Sequence, residues 1–467
     1  MHDLIVIGAG PGGYVAAIRA AQLGMSVLLV EKDQVGGTCL NRGCIPTKAY
    51  YESAFTLRRV QHSQQFGVQV QGCSFDMHAA WERKEQVVKK LVTGVEQLLK
   101  ANRVSIVRGP ATFVDASTIK AGDEQYSAQN ILIATGSQPA VLPIPGSDDP
   151  RLLNSDQILD IKEVPHRLVV IGGGVIGLEF ACIFNAFGSQ VTVLEAQATV
   201  LSQVDREIVK RLQVFLKRQG IAVHTAVQVK ELADTGSGLS VCAGTAKGEQ
   251  LSIEADLVLQ AAGRKPHTAG LNLEKLGIQV DQRGFIVVDE NYQTNIPGIY
   301  AIGDVIGGPM LAHVASEEGI AAVEAMAGHK SKVAYQAIPS TIFTFPEIAT
   351  VGLSEEEARQ RGIVPLIGKF NFAANGKALT MDETDGIVKV IADQDKQIIG
   401  MHVIGPHASD LILEGTLAVS QKLTLPGMRT VIHAHPTLGE AIQEALLDAQ
   451  GQAIHTAPLR KPLPKGE

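Results

Sequence analysis

The chain contains the same arrangement twice: an apolar run, a G-x-G-x-x-G turn, a helical run, and a second apolar run that ends in glutamate. Three glycines and one acid mark each copy, namely Gly8, Gly10, Gly13 and Glu31 in the first and Gly172, Gly174, Gly177 and Glu195 in the second. The acid follows the first glycine by 23 residues both times (8 to 31 and 172 to 195). One such turn alone is weak evidence, but between a strand and a helix, with an acid about 20 residues on, it indicates a dinucleotide-binding fold. The sequence therefore predicts an α/β chain with two Rossmann-like domains.

The chemistry of the turn explains why these residue types are needed. The first glycine permits a tight turn, the second lets the backbone approach a pyrophosphate, and the third lets helix and strand pack closely. The helix N-terminus offers free N–H groups to the phosphates, while the acid accepts hydrogen bonds from ribose hydroxyls. Glu195 would repel a 2′-phosphate, and the next arginine is Arg206. We therefore predict NAD rather than NADP at the second copy.

Three further segments complete the predicted organisation. Apolar runs at 131–136 and 257–263 end in small-residue turns that would close the two nucleotide folds. A later β-run ends in Gly303-Asp304, where a carboxylate suits a polyol or ribitol, although by itself an ordinary acid at a strand end explains it better. Strand-like runs at 341–345, 347–351, 386–392 and 397–404, with helical runs at 408–421 and 438–449, predict an α+β C-terminal domain. The predicted domains are 1–145, 146–267, 268–337 and 338–467.

Composition excludes several classes of protein. A net charge of -7 and a pI near 6.0 argue against nucleic-acid binding. No signal peptide or transit peptide is recognisable. The longest apolar stretch, 168–188, is interrupted by Glu179, Asn185 and glycines, so no membrane span is predicted. We expect a bacterial-type cytoplasmic protein whose basic stretch 460–465 is a mobile tail.

Five cysteines in 467 residues do not make a disulfide scaffold, but Cys39 and Cys44 lie five residues apart just after the first acid. They are either a redox-active disulfide or two buried thiols. In an ideal helix Cα atoms five residues apart are separated by about 8.6 Å, whereas a disulfide needs less than about 7 Å. A bridge would therefore require a distorted or barely started helix, to which Gly43 and Pro46 would contribute. The spacing and the lack of a second pair argue against zinc, and the other cysteines are isolated, at Cys73, Cys182 and Cys242.

A candidate base lies near the C-terminus, in the segment H-A-H-P-T-L-G-E that contains His435 and Glu440. Thiol chemistry needs a base because the thiolate is the nucleophile, and a histidine oriented by a carboxylate is the usual choice. Taken alone, a capping or core histidine would explain this segment somewhat better.

Together these segments resemble the pyridine nucleotide–disulfide oxidoreductase family, and within it the members that oxidise dihydrolipoamide. The resemblance covers essentially the whole chain and is carried by residues 8–17, 36–48, 294–304, 310–313 and 433–440. It implies tight, non-covalent FAD at the first turn, one per subunit, with Glu31 on its ribose and Asp304 on its ribitol. It implies NAD+/NADH at the second turn. The other implied cofactor-binding residues are Lys48, Thr135, Gly136, Ala312 and, at the NAD site, Gly263.

The resemblance also implies a mechanism. Cys39 is the thiol that meets the substrate, and Cys44 lies against the flavin and is its charge-transfer partner. His435, oriented by Glu440, takes a proton from dihydrolipoamide and serves the disulfide of the other subunit of a homodimer. The overall reaction is oxidation of protein-bound dihydrolipoamide with reduction of NAD+.

Three further expectations complete the prediction. Lys48 and Glu179 pair near the reactive flavin nitrogen, and no metal is required. The partners are the lipoyl domains and the acyltransferase core of a 2-oxo acid dehydrogenase complex, or the lipoyl carrier protein of glycine cleavage.

Related activities match the sequence less well. Mercuric reductases and high-molecular-weight thioredoxin reductases carry an additional C-terminal cysteine pair, whereas no cysteine follows Cys242. Low-molecular-weight thioredoxin reductases use C-x-x-C. Glutathione reductase shares the pattern of Cys39, Cys44 and His435 but typically prefers NADP, and it is the nearest alternative. A mainly docking role within a complex and an inactive flavoprotein sensor are the other classes, and the retained cysteines and base favour catalysis.

Overall fold

The computed structural model describes residues 1–457, and the predicted mobile tail at 460–465 lies outside the described residues. The described chain divides into two compact units. The first comprises Met1–Ala196 and Ala226–Val333, and the second comprises Gln197–Thr225 and the chain from Ala334 onward. Gln197–Thr225, which the sequence placed in the domain 146–267, thus groups with the C-terminal unit. The division into four domains stays a prediction.

The elements of the described chain are numbered in chain order. The strands are β1 (His2–Ile7), β2 (Val27–Glu31), β3 (Ser105–Arg108), β4 (Ala111–Asp115), β5 (Thr118–Ala121), β6 (Glu124–Ile133), β7 (Ser137–Pro139), β8 (Leu152–Asn154), β9 (Arg167–Ile171), β10 (Gln190–Leu194), β11 (Ala222–His224), β12 (Val227–Asp234), β13 (Leu239–Thr245), β14 (Gln250–Ala255), β15 (Leu257–Gln260), β16 (Arg264–Pro266), β17 (Ile299–Ala301), β18 (Ser340–Ile342), β19 (Glu347–Gly352), β20 (Leu366–Asn371), β21 (Ile387–Ala392) and β22 (Ile398–Gly405). The helices are α1 (Pro11–Gln22), α2 (Gly37–Arg42), α3 (Cys44–Gln61), α4 (Met77–Ala101), α5 (Val175–Phe187), α6 (Arg206–Arg218), α7 (Leu273–Leu276), α8 (Ala312–Met326), α9 (Glu355–Gln360), α10 (Gly376–Met381), α11 (Ala408–Ser420), α12 (Leu425–Met428) and α13 (Glu440–Asp448).

The first unit contains both predicted nucleotide folds. Parallel strands in the order β3-β2-β1-β6-β17 form the first, and antiparallel β5 and β4 extend it beyond β6. Parallel strands in the order β10-β9-β15-β8 form the second. In each sheet the strand before the glycine turn is internal, which explains why β1 and β9 are almost uninterrupted apolar runs. Each turn therefore lies where the strand order reverses, the usual ligand site of such sheets.

The long apolar stretch 168–188 is divided between two elements rather than forming one helix. It supplies most of β9, the second glycine turn and α5. Within the described residues, none of the helices combines the length and apolar character needed to cross a membrane.

The second unit is the α+β arrangement that the sequence predicted. Its antiparallel sheet has the order β18-β19-β22-β21-β20. Helix α11 packs on β19 and β22, and α13 packs on β20 and β21. Buried Val390, Met401, Val403 and Ile442 lie in their common apolar core. The sequence did not predict β20, α9 or α10.

A buried ion pair connects helix α6 to the sheet of the second unit. The side chains of Lys389 and Asp205 are 1% and 0% exposed. Lys389 Nζ lies 2.8 Å from Asp205 Oδ2 and 2.9 Å from Glu355 Oε2. Asp205 is also the N-cap of α6 and accepts the Glu207 amide at 3.0 Å. The pair thus joins the start of α6 to β21 and α9.

We expect Lys389→Met to destabilise the second unit by about 3–5 kcal/mol, because it leaves the Asp205 carboxylate buried without its cation. Arg218→Met is the matched control, since it removes an exposed ion pair with Asp385, a change worth about 0–1 kcal/mol. Urea unfolding followed by circular dichroism measures both. Equal unfolding midpoints for the two variants would contradict the prediction.

Candidate active site

The three glycines of the first turn have separate structural roles. Gly8 has a φ of +101°, and a Cβ there would lie 2.5 Å from the Ala134 carbonyl oxygen. A Cβ on Gly13 would lie 1.9 Å from the Gly8 oxygen, so both positions exclude a side chain. A Cβ on Gly10 would meet nothing within 4 Å. Gly10 precedes α1, whose first turn has no acidic residue or side-chain cap in the described structure. The turn is therefore an open cradle of N–H groups that suits a pyrophosphate.

The second turn repeats this geometry closely. Gly172 has a φ of +112°, and a Cβ there would lie 2.4 Å from the Ala261 oxygen. A Cβ on Gly177 would lie 2.0 Å from the Gly172 oxygen, whereas one on Gly174 would meet nothing within 4 Å. Helix α5 begins after Gly174 and, like α1, has no side-chain cap within the described residues. The internal repeat in the sequence is thus a repeat of two equivalent phosphate cradles.

The two predicted acids also occupy equivalent places. Glu31 accepts a hydrogen bond from the Ala9 amide at 2.7 Å, and Glu195 accepts one from the Gly173 amide at 2.6 Å. In each copy the donor is the residue that follows the first glycine. Both carboxylates therefore lie at the turn itself, where the ribose next to a bound pyrophosphate would be.

Asp304 belongs to a hydrogen-bond chain that the sequence did not reveal. Ser137 Oγ donates to Asp304 Oδ2. Arg264 donates from Nε to Ser137 Oγ at 2.7 Å and from Nη2 to the Ser137 carbonyl at 2.8 Å. Ser137 and Arg264 directly follow Gly136 and Gly263, and this adjacency to the two closing turns was the available signal. These hydrogen bonds from Arg264 through Ser137 fix the orientation of the Asp304 carboxylate.

The remaining predicted cofactor residues lie in the same unit. Gly136 and Gly263 adopt positive φ values of +69° and +109°. Thr135 Oγ1 donates to the His267 carbonyl at 2.7 Å. Ala312 is the first residue of α8. Their predicted contacts with cofactors stay predictions, and the cradles, acids and oriented Asp304 fit two dinucleotides.

The chain between the two cysteines is not one continuous helix, which is the condition that the sequence analysis set for a disulfide. Helix α2 ends at Arg42, Gly43 is non-helical with φ -144° and ψ -109°, and α3 begins at Cys44. Gly43 therefore makes the break, and Pro46 lies in the first turn of α3 where a proline is tolerated. Cys39 and Cys44 are free thiols that form a hydrogen bond with each other. Their disulfide form stays a prediction.

The environment makes the two thiols chemically unequal. The hydrogen bond from Cys39 and the nearby Lys48 cation together lower the pKa of Cys44, whose side chain is exposed, to about 7. The same hydrogen bond, together with burial, raises the pKa of Cys39. The reduced pair therefore carries its negative charge on Cys44, as expected of a thiolate that faces an electron acceptor.

The predicted pairing of Lys48 with Glu179 is confirmed. Lys48 Nζ lies 3.0 and 2.8 Å from the two carboxylate oxygens of Glu179. Lys48 is one turn beyond Cys44 on α3, and buried Glu179 is on α5. The ion pair thus joins the helix that begins at Cys44 to the helix of the second cradle, while its placement near a flavin stays a prediction.

We expect Lys48→Met to move the titration of Cys44 to higher pH by about one pH unit or more, because the stabilising cation is lost and Glu179 remains. If Cys44 lies against the flavin as predicted, a long-wavelength thiolate-to-flavin absorption band in the flavin-loaded, reduced protein reports this titration. Lys32→Met, which removes a lysine hydrogen-bonded to His267, is the control. An unchanged titration in Lys48→Met would contradict the prediction.

The predicted pairing of His435 with a carboxylate is present in the second unit. His435 Nδ1 lies 2.9 Å from Glu440 Oε1, and the His435 side chain is 78% exposed. Glu440 Oε2 accepts the Thr437 amide at 2.9 Å. Burial raises the pKa of Glu440, but the Thr437 amide and His435 together lower it by more, so Glu440 stays ionised. The arrangement orients an exposed imidazole.

The other three cysteines form no disulfide within the described residues: Cys73 is exposed, Cys182 is buried and Cys242 is partly buried. Across residues 1–457 we find no group of three or more His, Cys, Asp or Glu side chains arranged to hold a metal ion. A second histidine–carboxylate pair, His433 with Glu414, was not predicted, although the H-x-H spacing was a signal for it.

Two dinucleotide cradles beside a polarised thiol pair are typical of nucleotide-dependent disulfide oxidoreductases. The family model for pyridine nucleotide-disulphide oxidoreductases matches residues 2–319, and the model for the dimerisation domain of these proteins matches residues 338–446. The chain belongs to this family. The predicted fold class is confirmed, the family implies FAD and NAD(H) as cofactors, and the dimerisation domain supports the predicted homodimer.

Individual relatives are similar over nearly the full length. A dihydrolipoyl dehydrogenase of Geobacillus stearothermophilus is 46% identical over 458 residues, which cover 97% of each chain. One of Chlamydia muridarum is 44% identical over 465 residues, covering 98% of this chain and 99% of the relative. Among solved structures, a HOCl-induced flavoprotein disulfide reductase of Escherichia coli superimposes with a TM-score of 0.85 at 30% identity, covering 95% of this chain and 99% of that one.

Proposed function

We propose that the protein oxidises dihydrolipoamide carried by a lipoyl domain to lipoamide and reduces NAD+ to NADH. The observation that carries this proposal is the polarised pair of Cys39 and Cys44 in the same chain as the oriented base His435. The relatives named dihydrolipoyl dehydrogenase, at 44–46% identity, support the choice of substrate. Glu195 beside the second cradle supports NAD over NADP.

The thiol chemistry balances as two disulfide exchanges. His435 takes the proton of one substrate thiol, and the resulting thiolate attacks Cys39 of the disulfide and releases Cys44 as a thiolate. His435 then gives its proton to the departing Cys39 sulfur and takes the proton of the second substrate thiol, whose thiolate displaces Cys39 as the lipoamide disulfide closes. The protein pair is then reduced and carries the two substrate electrons. FAD, when bound, supplies a two-electron acceptor for the dithiol and a hydride donor for NAD+.

The side chains have defined tasks in this scheme. Glu440 orients His435 and stabilises its protonated form, while Lys48 favours the Cys44 thiolate and is itself held by Glu179. Ser137 and Arg264 orient Asp304 for the ribitol of the flavin. We propose that His435 acts on the disulfide of the partner subunit, so that the homodimer is needed for catalysis.

The proposal extends to partners and location. The lipoyl groups would come from a 2-oxo acid dehydrogenase complex with its acyltransferase core, or from the carrier protein of glycine cleavage. The family resemblance and the names of the relatives support this, because dihydrolipoyl groups are carried by such proteins. The cytoplasmic location stays a prediction.

Stopped-flow spectroscopy of the flavin-loaded dimer tests the function. Dihydrolipoamide should reduce the protein and produce a long-wavelength band from the Cys44 thiolate beside the flavin, and the reduced protein should then reduce NAD+. NADH should react far faster than NADPH in the reverse direction. Absence of reduction by dihydrolipoamide, or a preference for NADPH, would overturn the proposal. If NADPH reduces the protein and the protein turns over glutathione, the glutathione reductase alternative is identified instead.

A further inference from the structure

The loop before α13 carries two histidines, and each pairs with a carboxylate on a different helix. His435 Nδ1 lies 2.9 Å from Glu440, the first residue of α13. His433 Nε2 lies 2.9 Å from Oε1 of Glu414, on α11. The two imidazoles differ sharply in exposure, because the His433 side chain is 7% exposed and that of His435 is 78% exposed. The proposed mechanism uses only the exposed one.

The buried imidazole lies near the start of α13. A Cβ built on Gly439, the N-cap of α13, would be 3.5 Å from His433 Cδ2, so the imidazole lies beside the space that this glycine leaves open. Glu440 follows Gly439 directly. His433 therefore lies between Glu414 of α11 and the helix end that carries the carboxylate partner of His435.

The loop is held on the other side of His435 by a separate set of bonds. Thr437 Oγ1 donates to the Ala434 carbonyl at 2.7 Å, and Asn375 Nδ2 donates to the Thr437 carbonyl at 3.0 Å. The Thr437 amide binds Glu440. His435 is thus an exposed side chain between two anchors, and the anchor that precedes it is the pair of His433 with Glu414.

We propose that Glu414 is a positioning residue for the His435 base and acts through His433. The inference rests on the proposed function, since it presupposes that His435 is the base. The Glu414 carboxylate raises the pKa of His433 and so favours a charge-assisted hydrogen bond between them. Such a bond is both shorter and stronger than a neutral one, which suits it to fix the start of an otherwise exposed loop.

The geometry of a base matters because proton transfer needs a hydrogen bond of the right length to the substrate thiol. A misplacement of about 1 Å can cost about 100-fold in rate. Loosening the His433 anchor should therefore impair proton transfer to His435 and leave the reaction between flavin and nicotinamide unaffected, because that reaction does not use this loop.

The first test compares three variants of the flavin-loaded homodimer. Glu414→Ala should slow reduction by dihydrolipoamide by about 10- to 100-fold, while reduction by NADH changes by less than about twofold. Glu414→Gln keeps an oxygen that accepts from His433 and should restore the rate to within about threefold of the unmodified protein. Glu444→Ala is the control. Glu444 lies elsewhere on α13 and pairs with His455 at the same distance of 2.9 Å.

The second test separates positioning from general damage to the fold. In a His435→Gln background, Glu414→Ala should cause no further slowing, because the residue it positions is already lost. Additive slowing, equal slowing of both half-reactions, or an effect matched by Glu444→Ala would overturn the inference. If dihydrolipoamide reduces the unmodified protein but Glu414→Ala is as fast, the inference fails alone. If dihydrolipoamide does not reduce the unmodified protein, the proposed function fails first.

Discussion

Replacing His435 with glutamine is expected to slow reduction of the protein by dihydrolipoamide by about 10²- to 10⁴-fold, the usual contribution of a general base. Glutamine is polar and of similar length but cannot take up the thiol proton, so the substrate would react only through its small thiolate fraction. Electron transfer between the flavin and NAD+ needs no base at this position and should slow far less. The expected signature is therefore a large loss confined to one half-reaction.

The chain provides a closely matched control for this variant. His455 is 70% exposed and pairs through Nδ1 with Glu444 of α13 at 2.9 Å, as His435 pairs with Glu440 at the same distance. His455→Gln should leave both half-reactions within about twofold of the unmodified protein, because it removes a similar pair with no role in the proposed chemistry. Single-turnover measurements with dihydrolipoamide and with NADH separate the halves. Equal loss in both would count against His435 as the base.

The parts of the site that follow from local backbone requirements were predictable from the sequence. A turn with φ above +100° at Gly8 and Gly172 requires glycine, and the third glycine of each copy is required by a contact with the first. Both requirements act within a few residues, so they leave a spacing that can be recognised in the sequence. The break at Gly43 was expected only on the condition that the two cysteines can form a disulfide, because an uninterrupted helix would hold them too far apart.

Contacts between side chains far apart in the sequence leave no recognisable spacing of residues. Arg264 reaches Ser137 across 127 positions, and Lys389 reaches Asp205 across 184. Each bond depends on strand order and on the packing of a helix against a sheet, which residue periodicity does not encode. The pair of His433, in the loop before α13, with Glu414 on α11, 19 positions apart, is a shorter example of the same limit.

Strand β20 was not predicted, because a glycine that is needed for close packing interrupts its strand pattern. Gly368 interrupts the apolar run of β20, and glycine weakens the signal for a strand. A Cβ at this position would lie 1.9 Å from the Ala445 carbonyl oxygen of α13. The glycine thus allows α13 to pack closely on β20, and α13 begins with Glu440, the partner of the base. A weak local signal was therefore the consequence of a tertiary contact that supports the site.

A heterodimer of one Cys44→Ser subunit and one His435→Gln subunit is expected to recover activity that neither homodimer has. If each site combines the cysteines of one subunit with the base of the other, the two defects fall together in one site and the second site is intact. The purified heterodimer should then have about half the activity of the unmodified dimer, because one of its two equivalent sites works. Subunits that carry different affinity tags allow its isolation after co-expression.

The matched control is the heterodimer of Cys39→Ser with Cys44→Ser, in which every site lacks one cysteine and no activity should return. If the base instead served the cysteines of its own subunit, each site of the first heterodimer would keep one defect, and this heterodimer would be as inactive as its parent homodimers. That result would refute the shared site but would not contradict the role of His435 as the base.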